Sequence, residues 1–583
     1  MATMAAKATA VRQVCSWDSV PNPVYNLYTT GNVEEIVPGI IKPLVADIFR
    51  RTDYFGLTEL HERIGVSDLI PTFEPPMANF LPVFAGRMAL NLAWANAIIA
   101  TWQTSDEGSG LIDQFITSNS TDLASGAIAD RERAAVVQKR VYSSFWPQCA
   151  AAIDRNNERV AAAKTKLEAT NLAALSNAAL WQRLESVLAL QTHLFANHLG
   201  VSGAAGEYSS ITGKLLAREL GDGFEEPMVA GLTTGLGEVE SAKPGFELWK
   251  LGRLVASKPG LAAAFARMNA EELQAALRQP ADADWKQFAR HFQAFLGAYG
   301  FRGQQEADPS VPSWGEDPTF VLSVIRTNSQ AGPEHDPAAH TAAAQKKRQQ
   351  LEMELAARVS RKTRREFLRV TGLAQHYARN RERTKACWVR SMRLTRPILL
   401  EFSTRAVHEH VIDQPDDLFY LTWAELEQFV TGGRTALQHR VADRRREAEE
   451  LEKVAPPPIF EAPPEVAPIA AGVAGTTEFT GLGVSAGVAT GRARVVRSAA
   501  AAAETELQAG EILIAPFTDA AWTPLFVPAS GVVVETGGLL SHAAIVAREF
   551  GIPAVVAVPG ATRLIQTGET VTVDGSAGTV RLG

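Results

Sequence analysis

The segment Glu535-Thr536-Gly537-Gly538-Leu539-Leu540-Ser541-His542-Ala543-Ala544-Ile545-Val546-Ala547-Arg548-Glu549-Phe550-Gly551-Ile552-Pro553 decides the reading of this chain. Before it stands the apolar, β-branched run Gly531–Val534, and after it Ala554–Val558, two patterns of buried strands. Between them Ser541 is an N-cap residue, and His542–Phe550 predicts a helix of about two and a half turns. Gly551 supplies the stop and Pro553 forbids continuation. His542 therefore opens a helix behind a glycine-rich loop, where unpaired backbone N–H groups favour an anion such as phosphate. The same positive potential disfavours imidazolium and keeps the ring a neutral nucleophile.

Composition narrows the setting. At 583 residues the length suits about three or four domains, and 46% hydrophobic with 21% charged residues describes a globular chain with ample core. A formal charge of −7 argues against a protein devoted to nucleic acid. Three widely spaced cysteines (Cys15, Cys149, Cys387) form neither a disulfide framework nor a zinc motif, and they point to a reducing cytoplasm. Met1–Lys7 lacks the apolar core of a signal peptide, and Met88–Trp102 reads as a buried helix rather than a membrane span.

The run T-G-G-L-L-S-H-A-A-I-V-A-R-E-F-G-I-P-A-V (Thr536 to Val555) resembles the phosphohistidine swivelling domain of phosphoenolpyruvate-utilising enzymes. Pyruvate phosphate dikinase, rifampin phosphotransferase and phenylphosphate synthase share that domain. The resemblance covers about the last 110 residues. It implies that His542 carries a phosphoryl group, on Nε2, with Gly537, Gly538, Thr536 and Ser541 around the phosphate.

The rest of the chain divides around that domain. Residues 1–454 read as a mainly helical acceptor-binding domain, irregular until about Leu44, with a possible sub-boundary at 330–341 in a polar, proline-bearing loop. Leu180, Leu184, Val187 and Leu188 recur at helical spacing. In Gly300-Phe301-Arg302-Gly303-Gln304-Gln305-Glu306-Ala307-Asp308, two glycines display Arg302 on a tight turn near Glu306 and Asp308. That guanidinium either grips a phosphoryl group or ties down the turn through a carboxylate pair. The loop resembles G-H-R-G-P-x-E-x-D of the same enzymes, with Phe301 in place of histidine and Gln304 in place of proline. Farther on, Tyr377, Arg379, Arg383, Arg390 and Arg393 file along one side of a helix, with Arg381 and Lys385 on another. Arg302, Arg383, Lys385 and Glu306 are the acceptor-side candidates. His408 and His410, two apart on a helix, point to different faces, and no metal site is expected.

Residues 455–475, rich in proline and alanine, read as a linker with a reach of about 60 Å if extended as polyproline II. Residues 476–583 then form the small α/β swivelling domain, with strands at Ala493–Val496 and Ile512–Ala515 and a closing hairpin, Val571–Gly575 with Thr579–Leu582. The fold class expected is thus a large helical domain followed by a small swivelling α/β domain.

In the resembled enzymes the donor is ATP on an ATP-grasp domain or phosphoenolpyruvate on a C-terminal barrel. No nucleotide-binding strand-and-glycine pattern stands ahead of residue 330, and no barrel follows Gly583 in this sequence. The resemblance then implies a separate ATP-grasp partner bearing ATP and Mg²⁺, with no tightly bound cofactor here. AMP and phosphate would be co-products, and a small hydroxyl acceptor, hydrophobic or phenolic, would take the phosphoryl group. Two alternatives are a non-enzymatic phosphocarrier or regulatory subunit, and a transient phosphorylation that activates an alcohol for dehydration or condensation. Neither nucleic acid nor membrane is expected as a partner. All of these readings need a ring that can be reached, on a domain not locked to the rest by an extensive apolar seam.

Overall fold

The computed structural model describes residues 14–583 except 32, 34–36, 105–130, 226, 238, 469–476, 498–506 and 539–540. Up to residue 451 the chain is dominated by helices, the longest being Asn177–Leu220 and Arg364–Met392, which pack along each other. Ser176 caps the first by accepting the Ala179 N–H, and Leu180, Leu184 and Val187 turn inward at the expected spacing. The helix opening at Pro43 starts one residue before Leu44.

Several local expectations are corrected. The apolar run Met88–Trp102 is helical only over Leu92–Ala100, because Arg87–Met88 and Leu90–Asn91 form short antiparallel strand pairs first. Asn91 then caps that helix through its side chain. The segment 330–341 is not an exposed loop throughout: a helix begins at Pro337, and Thr341 is buried. Pro415–Tyr420 forms a 3₁₀ turn that leads into helix Trp423–Val430, which Thr422 and Glu425 cap reciprocally.

The stretch 455–475 is in part strand. Ile459–Phe460 pairs with Tyr28–Thr29, and Ala467–Pro468 pairs with Val454–Ala455. Proline-rich sequence here lies along the helical region as short edge pairings, where a missing N–H is tolerated. The remainder of the expected linker, 469–475, lies outside the described residues.

The C-terminal region is one eight-stranded sheet. Its order is 478–480, 579–582, 570–574, 488–495, 512–515, 531–534, 554–556, 482–485. The four strands from 488–495 to 554–556 are parallel and their flanks antiparallel. Side chains alternate between two cores, as period two requires. Leu513, Ala515, Val532 and Val534 face one, and Ile512, Ile514 and Val533 face the other. Parallel strands covered on both faces explain the unbroken apolar runs. Among the described residues no helix is long and apolar enough to cross a membrane.

Candidate functional site

Helix His542–Phe550 has the predicted bounds, with Ser541 Oγ accepting the Ala544 N–H at 3.2 Å and Gly551 left-handed at φ 66°. Gly537 takes φ 130°, a conformation that only glycine adopts without strain, and the Gly538 carbonyl accepts the Ser541 N–H. The Thr536 hydroxyl donates to the Pro516 carbonyl at 3.1 Å, which fastens the loop. Leu539 and Leu540 lie outside the described residues.

The His542 ring is 3% exposed. Its Nε2 lies 3.0 Å from the Thr523 hydroxyl, and Phe526 meets it edge-on. Burial, followed by the charges of Lys385, Arg302 and Arg381, holds its pKa well below the ordinary histidine value. That shift favours the neutral ring. All three cations come from the helical region, so His542 sits at the seam between the two regions.

Of the acceptor-side candidates, the structure brings Arg302 and Lys385 to His542. Arg302 is 1% exposed and donates to Glu306 at 2.8 Å and to the Glu240 carbonyl at 3.3 Å. The guanidinium thus ties down its turn through the carboxylate pair, and its charge also reaches the imidazole. Phe301, in place of the usual histidine, lies under the Arg390 guanidinium at 4.4 Å. Among the described residues Lys385 has no carboxylate at ion-pair distance, and its charge reaches both His542 and the buried Asp519 carboxyl. Arg383 does not join them. It points away on the half-exposed side of its helix, paired with Asp154. Arg381, one helical turn before Lys385, takes the place expected of Arg383. Of the other cations in the expected file, Arg393 donates to the Val311 and Asp308 carbonyls, Arg390 pairs with Glu240, and the charge of Arg379 reaches Glu549.

Three further residues escaped the sequence reading. Thr523 and Asp519 lie in the turn after strand Ile512–Ala515, and His542 follows the loop after strand Gly531–Val534. The two strands are parallel neighbours, so both loops leave at their carboxyl ends, where α/β sheets collect their functional groups. Adjacency of those strands was the available signal. Asp519 is fully buried beside Glu306 and Lys385, and burial, with Glu306 adding to it, raises its carboxyl to about 7. His198, on Asn177–Leu220, hydrogen-bonds Thr384 at 3.0 Å, and burial with Arg381 and Lys385 pushes it down to about 3.

Ser202, one turn beyond His198 and 3.4 Å from its Nδ1, lines an apolar cavity of about 100 Å³. Trp94, Trp102, Phe145 and Trp146 are among its walls. The cavity is thus joined through Ser202 and His198 to the cations around His542. Among the described residues no group of acidic, histidine and cysteine side chains could hold a metal.

The expectation of an accessible ring on an unlocked domain is not met in this arrangement. A single apolar core runs from Leu248, Trp249 and Phe320 of the helical region to Val527, Ala547 and Phe550 of the sheet region. Gly245 sits close in that contact: a Cβ there would stand 3.1 Å from Phe550 and 3.2 Å from Val527, so those side chains would have to give by a few tenths of an ångström.

Comparison with known proteins agrees with this geometry. Residues 507–578 match the mobile domain of PEP-utilising enzymes, and residues 198–382 match the fourth domain of rifampicin phosphotransferase. Two stretches of the chain are thus similar to PEP-utilising swivelling-histidine enzymes, the helical one to rifampicin phosphotransferase in particular. It is 36% identical over 334 residues to the prodigiosin synthesizing transferase PigC of Serratia marcescens, covering 55% of this chain and 36% of that protein. It is 32% identical over 303 residues to the rifampicin phosphotransferase of Bacillus subtilis (49% of this chain, 34% of that one). A Streptomyces rifampicin phosphotransferase gives 33% over 307 residues, 50% of this chain and 34% of the other. The matched part spans about a third of the length of these relatives.

Proposed function

We propose that this chain is the carrier and acceptor part of a phosphotransferase, in which His542 takes a phosphoryl group at a donor site and delivers it to a hydroxyl held by the helical region. The observation that supports this most is the neutral His542 ring set against Lys385, Arg302 and Arg381 from the opposite region. Fixed cations facing a dianionic group stabilise transfer without reorganising. In the delivery step the acceptor oxygen bonds to phosphorus as the N–P bond breaks, and the hydroxyl proton passes to the vacated imidazole nitrogen. Thr523, next to Nε2, is placed to donate to a phosphoryl oxygen, and the cavity beside Ser202 suits an apolar or aromatic alcohol.

On this reading the arrangement described is the docked, delivering pose. The ring is buried because its target region covers it, and the seam must open for reloading. The donor on this reading is ATP with Mg²⁺ on an ATP-grasp-type partner, as the resemblance of the His542 motif to phosphohistidine swivelling domains implies.

A second reading is favoured by the similarity to a synthesizing transferase: the phosphoryl group activates the acceptor for condensation and then leaves. Incubation with labelled ATP and an ATP-grasp partner, followed by a screen of alcohols, tests both. Label on wild type and none on His542→Ala is the expected result, and label retained by His542→Ala sinks the mechanism. A stable phosphate ester supports the first reading. Label leaving the isolated phosphorylated enzyme as inorganic phosphate only when the alcohol and a second nucleophile are both present supports the other.

A further inference from the structure

The seam carries two buried carboxyls that phosphoryl chemistry at His542 does not use. Asp519 Oδ2 accepts the Gln305 N–H at 3.1 Å, and its Oδ1 accepts the Ala521 N–H at 2.8 Å. Glu549, on the helix that His542 opens, accepts the Leu236 and Gly237 N–H groups at 3.0 Å each. The Glu549 carbonyl also accepts the Thr341 hydroxyl at 2.9 Å. Both side chains belong to the sheet region, and apart from Ala521 every donor named belongs to the helical region.

The receiving turn is held from behind by its own region: Gly235 takes φ 55°, and a Cβ there would fall 2.4 Å from the Gln345 nitrogen on helix Pro337–Arg358. We propose that Asp519 and Glu549 are positioning residues that clamp the His542-bearing region in its docked pose, each by seating a buried carboxyl on backbone N–H groups across the seam, and that docking is thereby linked to proton uptake. The proposal rests on the reading that this region moves.

Groups of both signs face the clamps. Asp519 meets Glu306 and Lys385, and Glu549 meets Arg348 and Arg379. Burial raises both carboxyls, Asp519 to about 7. An apolar seam alone would hold the regions shut, whereas a carboxyl regains water and its charge when the seam opens, which favours release. The sign follows. A carboxyl raised in the docked pose binds its proton there and loses it when undocked, so docking weakens as pH rises through about 7. His542 opposes this below its ordinary value, because its docked ring refuses the proton that an undocked ring accepts.

Hydrogen exchange on the full chain tests the clamp, read at the amides of 236–237 and 305 and at helix His542–Phe550, corrected for the intrinsic rate. His542→Gln removes the opposing titration. In that chain the docking constant should fall about tenfold between pH 6 and pH 8, from the Asp519 proton alone. Adding Asp519→Asn should abolish most of the slope, and adding Glu549→Gln should reduce what remains. A slope that survives both substitutions, or no slope in His542→Gln, overturns the proposal. Strand Ile512–Ala515 reports folding. Should Asp519→Asn lose protection there, Glu549→Gln alone carries the test, with an unchanged slope the adverse result. No phosphoryl donor is needed, so the outcome is independent of the phosphotransfer reading.

Discussion

The sheet region and the helical region were legible to very different degrees. In the sheet region the chemistry is local: strand, glycine loop, cap, histidine and stop follow one another within twenty residues. The helical region assembles its part of the site from Arg302 in a loop and from Arg381 and Lys385 on a helix about eighty residues later. One region thus states its function in a contiguous motif. The other supplies charges that only meet when the chain is folded.

The comparison can be broken most directly at His542. His542→Ala is expected to lose all phosphoryl incorporation, read as acid-labile, base-stable label. Next in size, Lys385→Ala should slow delivery to an acceptor by about 10²–10³-fold, the usual cost of removing one fixed charge stabiliser, while loading is much less affected. Single-turnover discharge of labelled enzyme separates the two steps, and equal losses in both would place Lys385 elsewhere in the cycle.

Gly245→Val sharpens the comparison at the seam. Overpacking against Phe550 and Val527 should cost about 1–3 kcal/mol of docking. Protection of helix His542–Phe550 should drop while that of strand Ile512–Ala515 persists. Smallest is Arg383→Ala, which removes only a half-exposed ion pair with Asp154. Stability should shift by less than about 1 kcal/mol and delivery by less than about threefold. A large effect there would restore the cation file read from the sequence.

The misses have one cause. The helical register correctly separated Arg383 from Arg381 and Lys385, since residues four apart share a face. It gave no means of knowing which face looks toward the sheet region. Asp519 and Thr523 were missed because their importance comes from lying beside the His542 loop, which depends on strand order. Glu549 stood inside the motif itself, but its partners at 236–237 lie some three hundred residues away. Proline density at 456–468 suggested a long free tether, yet its short runs pair with other strands.

What the sequence determined by itself was the helix that presents His542, its cap and stop, and the buried strands on either side. Each depends on interactions within a few residues: a side-chain oxygen on an N–H two or three residues ahead, a glycine with positive φ, an alternation of period two. The tertiary structure decided which cations face the ring, that Thr536 closes a loop while Thr523 meets Nε2, and that the ring lies in a seam rather than in water. Those outcomes arise from contacts between distant segments, whose energies depend on burial and charge proximity that no local pattern encodes.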